Sequence, residues 1–325
     1  MIRTIILAIA FALSAVIHSS AQQIRAGIIG LDTSHVLAFA KTLNTDPQKP
    51  EVMGVRVVAA YPKGSPDIES STQRVPEYTE KVKAMGVEIV ESIDALMGKV
   101  DVVFLETNDG RPHLEQLRPC LAAHKPTFID KPVAGSLVDA IRIFDEAKKA
   151  GVPVFSSSSL RFGKLTQAVR GGSIGKVKSA ETSSPASLEK THPDLYWYGI
   201  HGVESLFTAM GTGCQSVKRG TTADGKIEVT GIWEGGRTGV YRESKTYGVK
   251  AVGDAGESEV GKFDGYEPLL YEIVKFFRTG ITPVQPEETL EIYAFMEAAD
   301  ESKRRNGAQV TLKEVMDKAR AAAGK

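Results

Sequence analysis

Short apolar runs alternate with longer amphipathic stretches over the first half of the chain. The runs predict buried strands, and they cover residues 24–31, 55–60, 87–90, 100–105, 128–129 and 152–155. Between them, apolar residues recur at helical spacing, as at Val36, Phe39 and Leu43, and one predicted helix covers about residues 75–85. Strands that alternate with helices are typical of a parallel sheet covered on both faces. The first half is therefore predicted to be a doubly wound α/β domain.

The pattern changes after the four serines at residues 156–159. Strand-like stretches at 177–183, 227–233 and 239–244 are separated by Gly-rich turns, and residues 192–210 predict a loop followed by a helix. Two more helices are predicted near residues 266–278 and 286–305, with an edge strand at 310–312. This pattern predicts an α+β domain with a mainly antiparallel open sheet. The expected domains are residues 22–155 and 156–325.

The first 21 residues have the pattern of an export signal. Arg3 is the lone charge, residues 5–17 are apolar, and Ser19-Ser20-Ala21 offers a small-residue cleavage site before Gln22. We expect a mature protein that is periplasmic or otherwise exported and has no membrane contact after cleavage. An N-terminal membrane anchor is the alternative, although the apolar run is short for a span.

Composition excludes several classes of partner. Lys plus Arg equals Asp plus Glu, at 40 each, and no long run of one sign occurs. This balance gives no electrostatic basis for binding nucleic acid or an acidic membrane surface. Cys120 and Cys214 lie far apart without a CxxC or Cys/His spacing, so neither a disulfide framework nor a structural zinc site is indicated.

The segment Asp130-Lys131-Pro132 is the strongest candidate for chemistry. It follows the apolar strand at 128–129 and therefore places a carboxylate and an amine at the carboxyl edge of the predicted sheet. Open α/β sheets bind their ligands at that edge. Pro132 cannot continue the ladder and keeps Lys131 extended. A surface salt bridge at a strand end is the alternative interpretation.

Several short segments, taken in order, resemble the glucose-fructose oxidoreductase and inositol dehydrogenase (Gfo/Idh/MocA) family over essentially the whole mature sequence. They are Ala26-Gly27-Ile28-Ile29-Gly30, His113, Asp130-Lys131-Pro132, Gly199-Ile200-His201 with Glu204, and Glu297-Ala298-Ala299 to Ser302. The resemblance implies a Rossmann-like N-terminal domain that binds NAD or NADP, and a homo-oligomer. It also implies that Lys131 holds a substrate hydroxyl while His201 takes or delivers the proton of that hydroxyl. Glu204 and His113 complete the candidate catalytic set.

The glycine loop departs from the family pattern. The implied cofactor-binding residues are Gly27, Gly30, Asp32, Thr33, Ser34, Thr107, Asp130 and Lys131. Asp32 and His35 stand where the second and third glycines of Gly-x-Gly-x-x-Gly are expected, and Tyr61 stands where an acidic ribose-binding residue is expected. Asp32 either caps the helix in place of the cofactor or turns away and leaves the helix amides free.

The second domain departs as well, because Trp197 replaces the aspartate expected four residues before His201. Tyr196-Trp197-Tyr198 offers instead an aromatic wall of the kind that stacks on sugars, although three successive aromatics are also common in cores. Glu204 lies one turn after His201, so it can orient the imidazole or join it in holding a divalent metal. A helix-surface carboxylate is the plainer interpretation.

These observations favour an oxidoreductase that acts on a carbohydrate-like substrate, at a sugar or cyclitol hydroxyl, with NAD(P). The altered loop and the export signal count against it, because exported proteins meet no recycling nicotinamide pool. A tightly bound cofactor that is reoxidised in each turnover removes that objection. The alternatives are a non-redox lyase or hydrolase, metal-assisted or not, and a non-catalytic sugar-binding protein.

Overall fold

The computed structural model describes residues 23–260 and 263–324, so the predicted export signal lies outside the described residues. Six short strands of the N-terminal half are β1 (Ile24–Ile29), β2 (Val55–Tyr61), β3 (Glu88–Ile89), β4 (Val102–Leu105), β5 (Thr127–Ile129) and β6 (Val154–Ser156). They form one sheet in the order β3-β2-β1-β4-β5-β6, and all neighbours are parallel. The predicted doubly wound sheet is confirmed.

Helices connect these strands on both faces of the sheet. They are α1 (Ser34–Asn44), α2 (Glu69–Ala84), α3 (Ile93–Met97), α4 (His113–Ala122) and α5 (Leu137–Ala150). Helix α2 begins earlier than the apolar spacing predicts, because its first two turns are mostly polar. Every residue of β4 is buried, as expected for a central parallel strand that has helices above and below it.

The C-terminal half forms a second sheet and five more helices. Its strands are β7 (Val177–Ser184), β8 (Cys214–Thr221), β9 (Ile227–Trp233), β10 (Thr238–Glu243), β11 (Gly248–Gly253), β12 (Glu257–Val260) and β13 (Val310–Thr311). The helices are α6 (Lys164–Arg170), α7 (Ile200–Met210), α8 (Glu267–Thr279), α9 (Pro286–Arg304) and α10 (Leu312–Ala323). The strand order is β12-β11-β7-β10-β9-β8-β13, and only β7 and β10 are parallel neighbours. The expected mainly antiparallel sheet is confirmed.

Helix α8, which follows β12, returns to the first sheet. Phe276 packs on Phe155 with ring centroids 4.9 Å apart, and Phe277 packs on Phe104 at 5.0 Å. The core of the N-terminal sheet is therefore completed by a helix from the segment that the sequence places in the second domain. This packing also joins the two halves and defines the cleft between them.

Helix α7 lies in the centre of the second domain, and all of its residues are buried. Gly202 allows the helix to approach the sheet, because a Cβ atom there would lie 2.4 Å from the ring of Tyr241. The close approach fixes the start of α7, where His201 lies, against the cleft. Cys120 and Cys214 are both buried and free. Within the described residues, no helix is both long and apolar enough to span a bilayer.

Candidate active site

A cavity of about 280 Å³ lies between the two domains at the carboxyl edge of the first sheet. Its walls come from the loop after β1, from α2, from the ends of β4 and β5, and from α7 and the segments around it. The lining residues are Thr33, Ser34, His35, Ser70, Arg74, Asn108, Asp130, Lys131, Ser159, Leu160, Ser187, Trp197, Tyr198, His201, Tyr247, Phe263 and Tyr266. Lys131 and His201, which are 70 positions apart, thus share one cleft.

Lys131 follows β5 and is 9% exposed. Among the described residues its ammonium has no hydrogen-bond or ion-pair partner, although Asp130 precedes it in the chain. A buried ammonium with unused donors is suited to binding an oxygen of a ligand in the cavity. The strand-end position that the sequence predicts for Lys131 is the one observed.

His201 lies in the first turn of α7 and is held through one ring nitrogen. The hydroxyl oxygen of Ser158 lies 2.7 Å from Nδ1 of the imidazole. Nε2 has no partner in the described part of the chain. Burial, together with the nearby charge of Lys131, lowers the pKa of His201 well below its usual range. The imidazole is therefore neutral near pH 7 and able to accept a proton.

Aromatic side chains form one wall of the cavity, namely Trp197, Tyr198, Tyr247, Phe263 and Tyr266. Tyr198 and His201 meet edge to face, with ring centroids 5.1 Å apart. Tyr196 does not belong to this wall, because it is fully buried against Tyr293. The sequence expectation of three adjacent wall residues is therefore corrected to two.

Glu204 is buried and has no hydrogen bond to His201 in the described residues, which corrects both the expectation that it orients the imidazole or shares a metal with it and the alternative of a helix-surface carboxylate. Its Oε1 atom accepts a hydrogen bond from Ser157 at 3.0 Å and also pairs with the buried guanidinium of Arg161. Arg161 contacts Glu288 in turn, at 2.8 Å. The residue that contacts the imidazole is Ser158. The spacing of residues in the sequence does not predict this contact.

His113 has a structural position, which corrects its assignment as a catalytic residue. The side chain is fully buried, with Nε2 2.8 Å from the carbonyl oxygen of Thr107 and Nδ1 3.2 Å from that of Val133. Burial lowers the pKa of His113. Both ring nitrogens face backbone, so the ring ties the loop after β4 to the segment after Lys131 and leaves no atom for a substrate.

A cluster that the sequence reading missed lies at the floor of the cavity. Nδ1 of His35 is 3.1 Å from Asp130 Oδ1 and 3.7 Å from Glu106 Oε2. Burial, reinforced by the charge of Asp130, raises the pKa of Glu106 well above its usual range. These residues follow β1, β4 and β5, which are neighbours in the sheet, so strand order was the available signal.

The loop after β1 makes a close approach that only glycine permits. Gly30 has φ of 85°, and a Cβ atom there would lie 2.5 Å from the backbone nitrogen of Thr107. Gly27 lies under Val100 and Leu96, which would also meet an added Cβ. Neither glycine lines the cavity, and Thr107 does not line it either. Of the cofactor-binding residues predicted from the sequence, those that line the cavity are Thr33, Ser34, Asp130 and Lys131.

Asp32 does not cap α1. Its carboxylate accepts hydrogen bonds from the hydroxyl of Ser71 at 2.7 Å and from the backbone N–H of Asn108 at 2.9 Å. The capping position belongs to Thr33, whose hydroxyl instead donates to Glu106 at 3.2 Å. Of the two alternatives left open by the sequence, the carboxylate therefore turns away and leaves the first amides of α1 without a side-chain acceptor.

Comparison with known proteins identifies the first domain. Residues 24–158 match the model of the oxidoreductase family with an NAD-binding Rossmann fold, GFO_IDH_MocA. The N-terminal domain therefore belongs to the Gfo/Idh/MocA family. The sequence resemblance is thereby confirmed.

The chain is similar to a myo-inositol 2-dehydrogenase of Thermotoga maritima, to which it is 38% identical over 81 residues. The match covers 24% of each chain, so the protein spans about a quarter of the length of that curated relative. A probable dehydrogenase of Thermotoga maritima superposes with a TM-score of 0.71 at 20% identity, covering 90% of this chain and 100% of its own. The myo-inositol dehydrogenase of Lactobacillus casei was solved with NAD(H) and myo-inositol. It superposes with a TM-score of 0.68 at 16% identity, and the match covers 89% of this chain and 96% of the dehydrogenase. These structural likenesses show the fold.

The residues fit one half of the dinucleotide expected for a Gfo/Idh/MocA protein. The uncapped N–H groups at the start of α1 can donate hydrogen bonds to a phosphate, and Thr33, Ser34 and Lys131 line the same cavity. Outside the cavity, the hydroxyl of Ser65 donates a hydrogen bond to the carboxylate of Asp109 at 2.5 Å. This bond links the loop after β2 to the loop after β4. The residues that line the cavity therefore fit the nicotinamide and phosphate end of the dinucleotide.

Proposed function

We propose that this protein is an exported oxidoreductase that acts on a sugar or cyclitol hydroxyl with NAD or NADP. The observation that carries the proposal is the convergence of Lys131 and His201, from two domains, on one cavity with an aromatic wall. Aromatic faces suit the C–H faces of sugar rings, while the ammonium and the imidazole suit a single hydroxyl between them.

The cavity size supports a substrate with one ring. Its volume of about 280 Å³ lies just below the range for ligand pockets, roughly 300–1,000 Å³. A monosaccharide or cyclitol fits this space better than a longer saccharide. Inositol dehydrogenases among the relatives support the same class of substrate.

The residues divide the chemistry between them. When bound, the nicotinamide supplies the acceptor for the hydride that leaves the carbinol carbon. Lys131 donates a hydrogen bond to the substrate oxygen and stabilises the negative charge that develops there. His201 accepts the hydroxyl proton at Nε2 while Ser158 holds Nδ1. Oxidation thus removes one hydride and one proton and leaves a ketone.

Export limits how the cofactor is used. A protein outside the inner membrane meets no recycling nicotinamide pool, so the proposal includes a cofactor that stays bound and is reoxidised by a second carbohydrate in each turnover. The uncapped start of α1 and the enclosed cavity support retention of the nicotinamide end.

The test is release of cofactor and turnover by the mature chain, residues 22–325. We expect denatured protein to release a nicotinamide dinucleotide, or purified protein to bind an added one, and cyclitols or hexoses to change its absorbance. Lys131→Met is expected to lower kcat/KM roughly 100- to 1,000-fold, as for loss of one oxyanion donor. The matched control is Lys63→Met, which removes an exposed lysine and should leave kcat/KM unchanged.

Failure to bind either dinucleotide would overturn the redox proposal. Turnover of a carbohydrate without a dinucleotide would instead support the lyase or hydrolase. Binding of sugar without any turnover would support a non-catalytic sugar-binding protein.

A further inference from the structure

The imidazole of His35 and the carboxylates of Glu106 and Asp130 converge beneath the cavity. One ligand atom from each residue lies within 4.8 Å of the other two. Glu106 and Asp130 are fully buried, and His35 is 4% exposed. The cluster lies beside Lys131 and His201 but has no part in the proton and hydride transfer proposed above.

Four buried atoms of this cluster have no hydrogen bond of good geometry in the described part of the chain, although two of them, His35 Nδ1 and Asp130 Oδ1, lie 3.1 Å apart. They are His35 Nδ1, Glu106 Oε1 and both carboxylate oxygens of Asp130. Buried polar atoms normally have such partners, and an unpaired buried carboxylate is especially costly. Asp130 faces the imidazole of His35 but has no ion pair with the neighbouring ammonium of Lys131 in the described part of the chain, so Glu106 Oε1 and Asp130 Oδ2 are left without a partner.

We propose that His35, Glu106 and Asp130 bind one divalent cation of the Mn²⁺ or Zn²⁺ class at the floor of the cavity. Carboxylate oxygens suit Mn²⁺ and an imidazole suits Zn²⁺, so a mixed set of one nitrogen and two oxygens selects this class over Ca²⁺. Three protein ligands leave positions open for water or substrate oxygens from the cavity.

The surroundings hold the ligands in place. The ring of His35 stacks on Phe39 at 5.4 Å and meets Tyr266 edge-on at 4.5 Å. Thr33 donates to Glu106 at 3.2 Å, which orients that carboxylate from outside the ligand set. Glu106 and Asp130 come directly after the neighbouring strands β4 and β5, and His35 lies in the first turn of α1, so all three ligands are attached to ordered elements at the carboxyl edge of the sheet.

The binding test uses the untagged mature chain after treatment with a chelator. We expect calorimetric titration with Mn²⁺ or Zn²⁺ to show one site per chain, and metal analysis to find one equivalent after dialysis. His35→Gln and Glu106→Gln should each weaken binding on the order of 100-fold. The matched control is His192→Gln, because His192 also lies 3.2 Å from a buried carboxylate, that of Asp109, and should bind metal like the unaltered protein.

A second measurement uses the unaltered protein, so it does not depend on whether the variants fold. In the unaltered protein, bound Mn²⁺ should broaden the imidazole resonances of His35 and His201 but spare those of His124, which follows α4 at the opposite edge of the sheet. The proposal is overturned if neither cation binds stoichiometrically, which would indicate an internal pair of His35 and Asp130 beside a protonated Glu106. Equal broadening of all histidines, or equal affinity in His35→Gln, would also overturn it. Because these readouts need no dinucleotide, their failure is distinct from failure of the redox proposal.

Discussion

The hydroxyl oxygen of Ser158 lies 2.7 Å from Nδ1 of His201 and links the end of the first sheet to the first turn of α7. The same oxygen accepts the backbone N–H of Leu160 at 3.2 Å, which fixes its position. The orientation of the candidate base is therefore set by the segment that follows β6. With the proton on Nδ1, Nε2 carries its lone pair toward the cavity.

Removing that contact tests whether Ser158 positions the base. We expect Ser158→Ala to lower kcat about tenfold with little change in KM, as for loss of one hydrogen bond. Ser158→Thr keeps a hydroxyl and should retain most of the unaltered kcat. The control is Ser183→Ala, on β7, which should leave kcat unchanged. Equal losses in the alanine and threonine variants would indicate a packing role instead.

The pKa of His201 is open to direct titration. Burial and the charge of Lys131 both lower it, so the ring should stay neutral well below pH 6.5, the usual midpoint for histidine. In Lys131→Met the NMR titration of His201 should move upward, because one of the causes that lower its pKa is removed. A midpoint near the usual value in the unaltered protein, or no movement in the variant, would contradict this electrostatic account.

The sequence predicted the fold and the strand-end position of Lys131 from local signals, whereas the convergence of Lys131 and His201 was implied by the family resemblance. Strand-helix alternation predicts the parallel sheet, and a lysine at a strand end must lie at its carboxyl edge. The strands β8, β11 and β12 were missed, since their residues are largely polar or glycine and their pairing depends on distant neighbours.

The side-chain partners could not be read from spacing. Glu204 lies one turn after His201, yet Arg161, from a distant segment, determines where its carboxylate points. His113 matches the family position, but its burial against two backbone carbonyls depends on the loop after β4 folding onto the segment after Lys131. In each case a tertiary contact outweighs the local pattern.

Asp32 is expected to stabilise the loop after β1 without excluding a phosphate. Asp32→Ala leaves the Asn108 N–H unpaired and should lower the free energy of unfolding by about 1–3 kcal/mol. Asp32→Asn keeps an acceptor while removing the charge, so its affinity for NAD should match that of the unaltered protein. A tenfold or greater gain in that affinity would show that the carboxylate repels the pyrophosphate. Urea unfolding and equilibrium binding provide the two measurements.

Glu204 is expected to act through folding stability. Glu204→Gln removes one partner of the buried Arg161 guanidinium and should cost about 3–5 kcal/mol, because a buried charge is left incompletely compensated. The control is Glu301→Gln, which loses surface ion pairs with Arg304 and Arg305 and should cost at most about 1 kcal/mol. Equal free energies of unfolding for the two variants would contradict the buried-pair interpretation.

Asp300 should make the stability of the second domain depend on pH. Burial, with a contribution from the charge of Asp194, raises the pKa of Asp300 to about 6, although Arg219 lies 2.8 Å away. Because the folded-state pKa is above the unfolded one, the stabilisation is present below the unfolded pKa and is lost as pH rises through the folded pKa. Relative to Asp300→Asn, the free energy of unfolding should therefore fall by roughly 2 kcal/mol from about pH 4 to about pH 7.

Asp194 provides the control of opposite sign for Asp300, because it shares the Arg219 guanidinium. Burial raises the pKa of Asp194, but hydrogen bonds from Lys303 and Arg219 outweigh it and lower that pKa. Its stabilisation is present above the unfolded pKa and is lost as pH falls through the folded one. Urea unfolding of Asp300→Asn and Asp194→Asn should thus give pH dependences of opposite direction. Parallel dependences would mean that Arg219 holds both carboxylates ionised in the folded state.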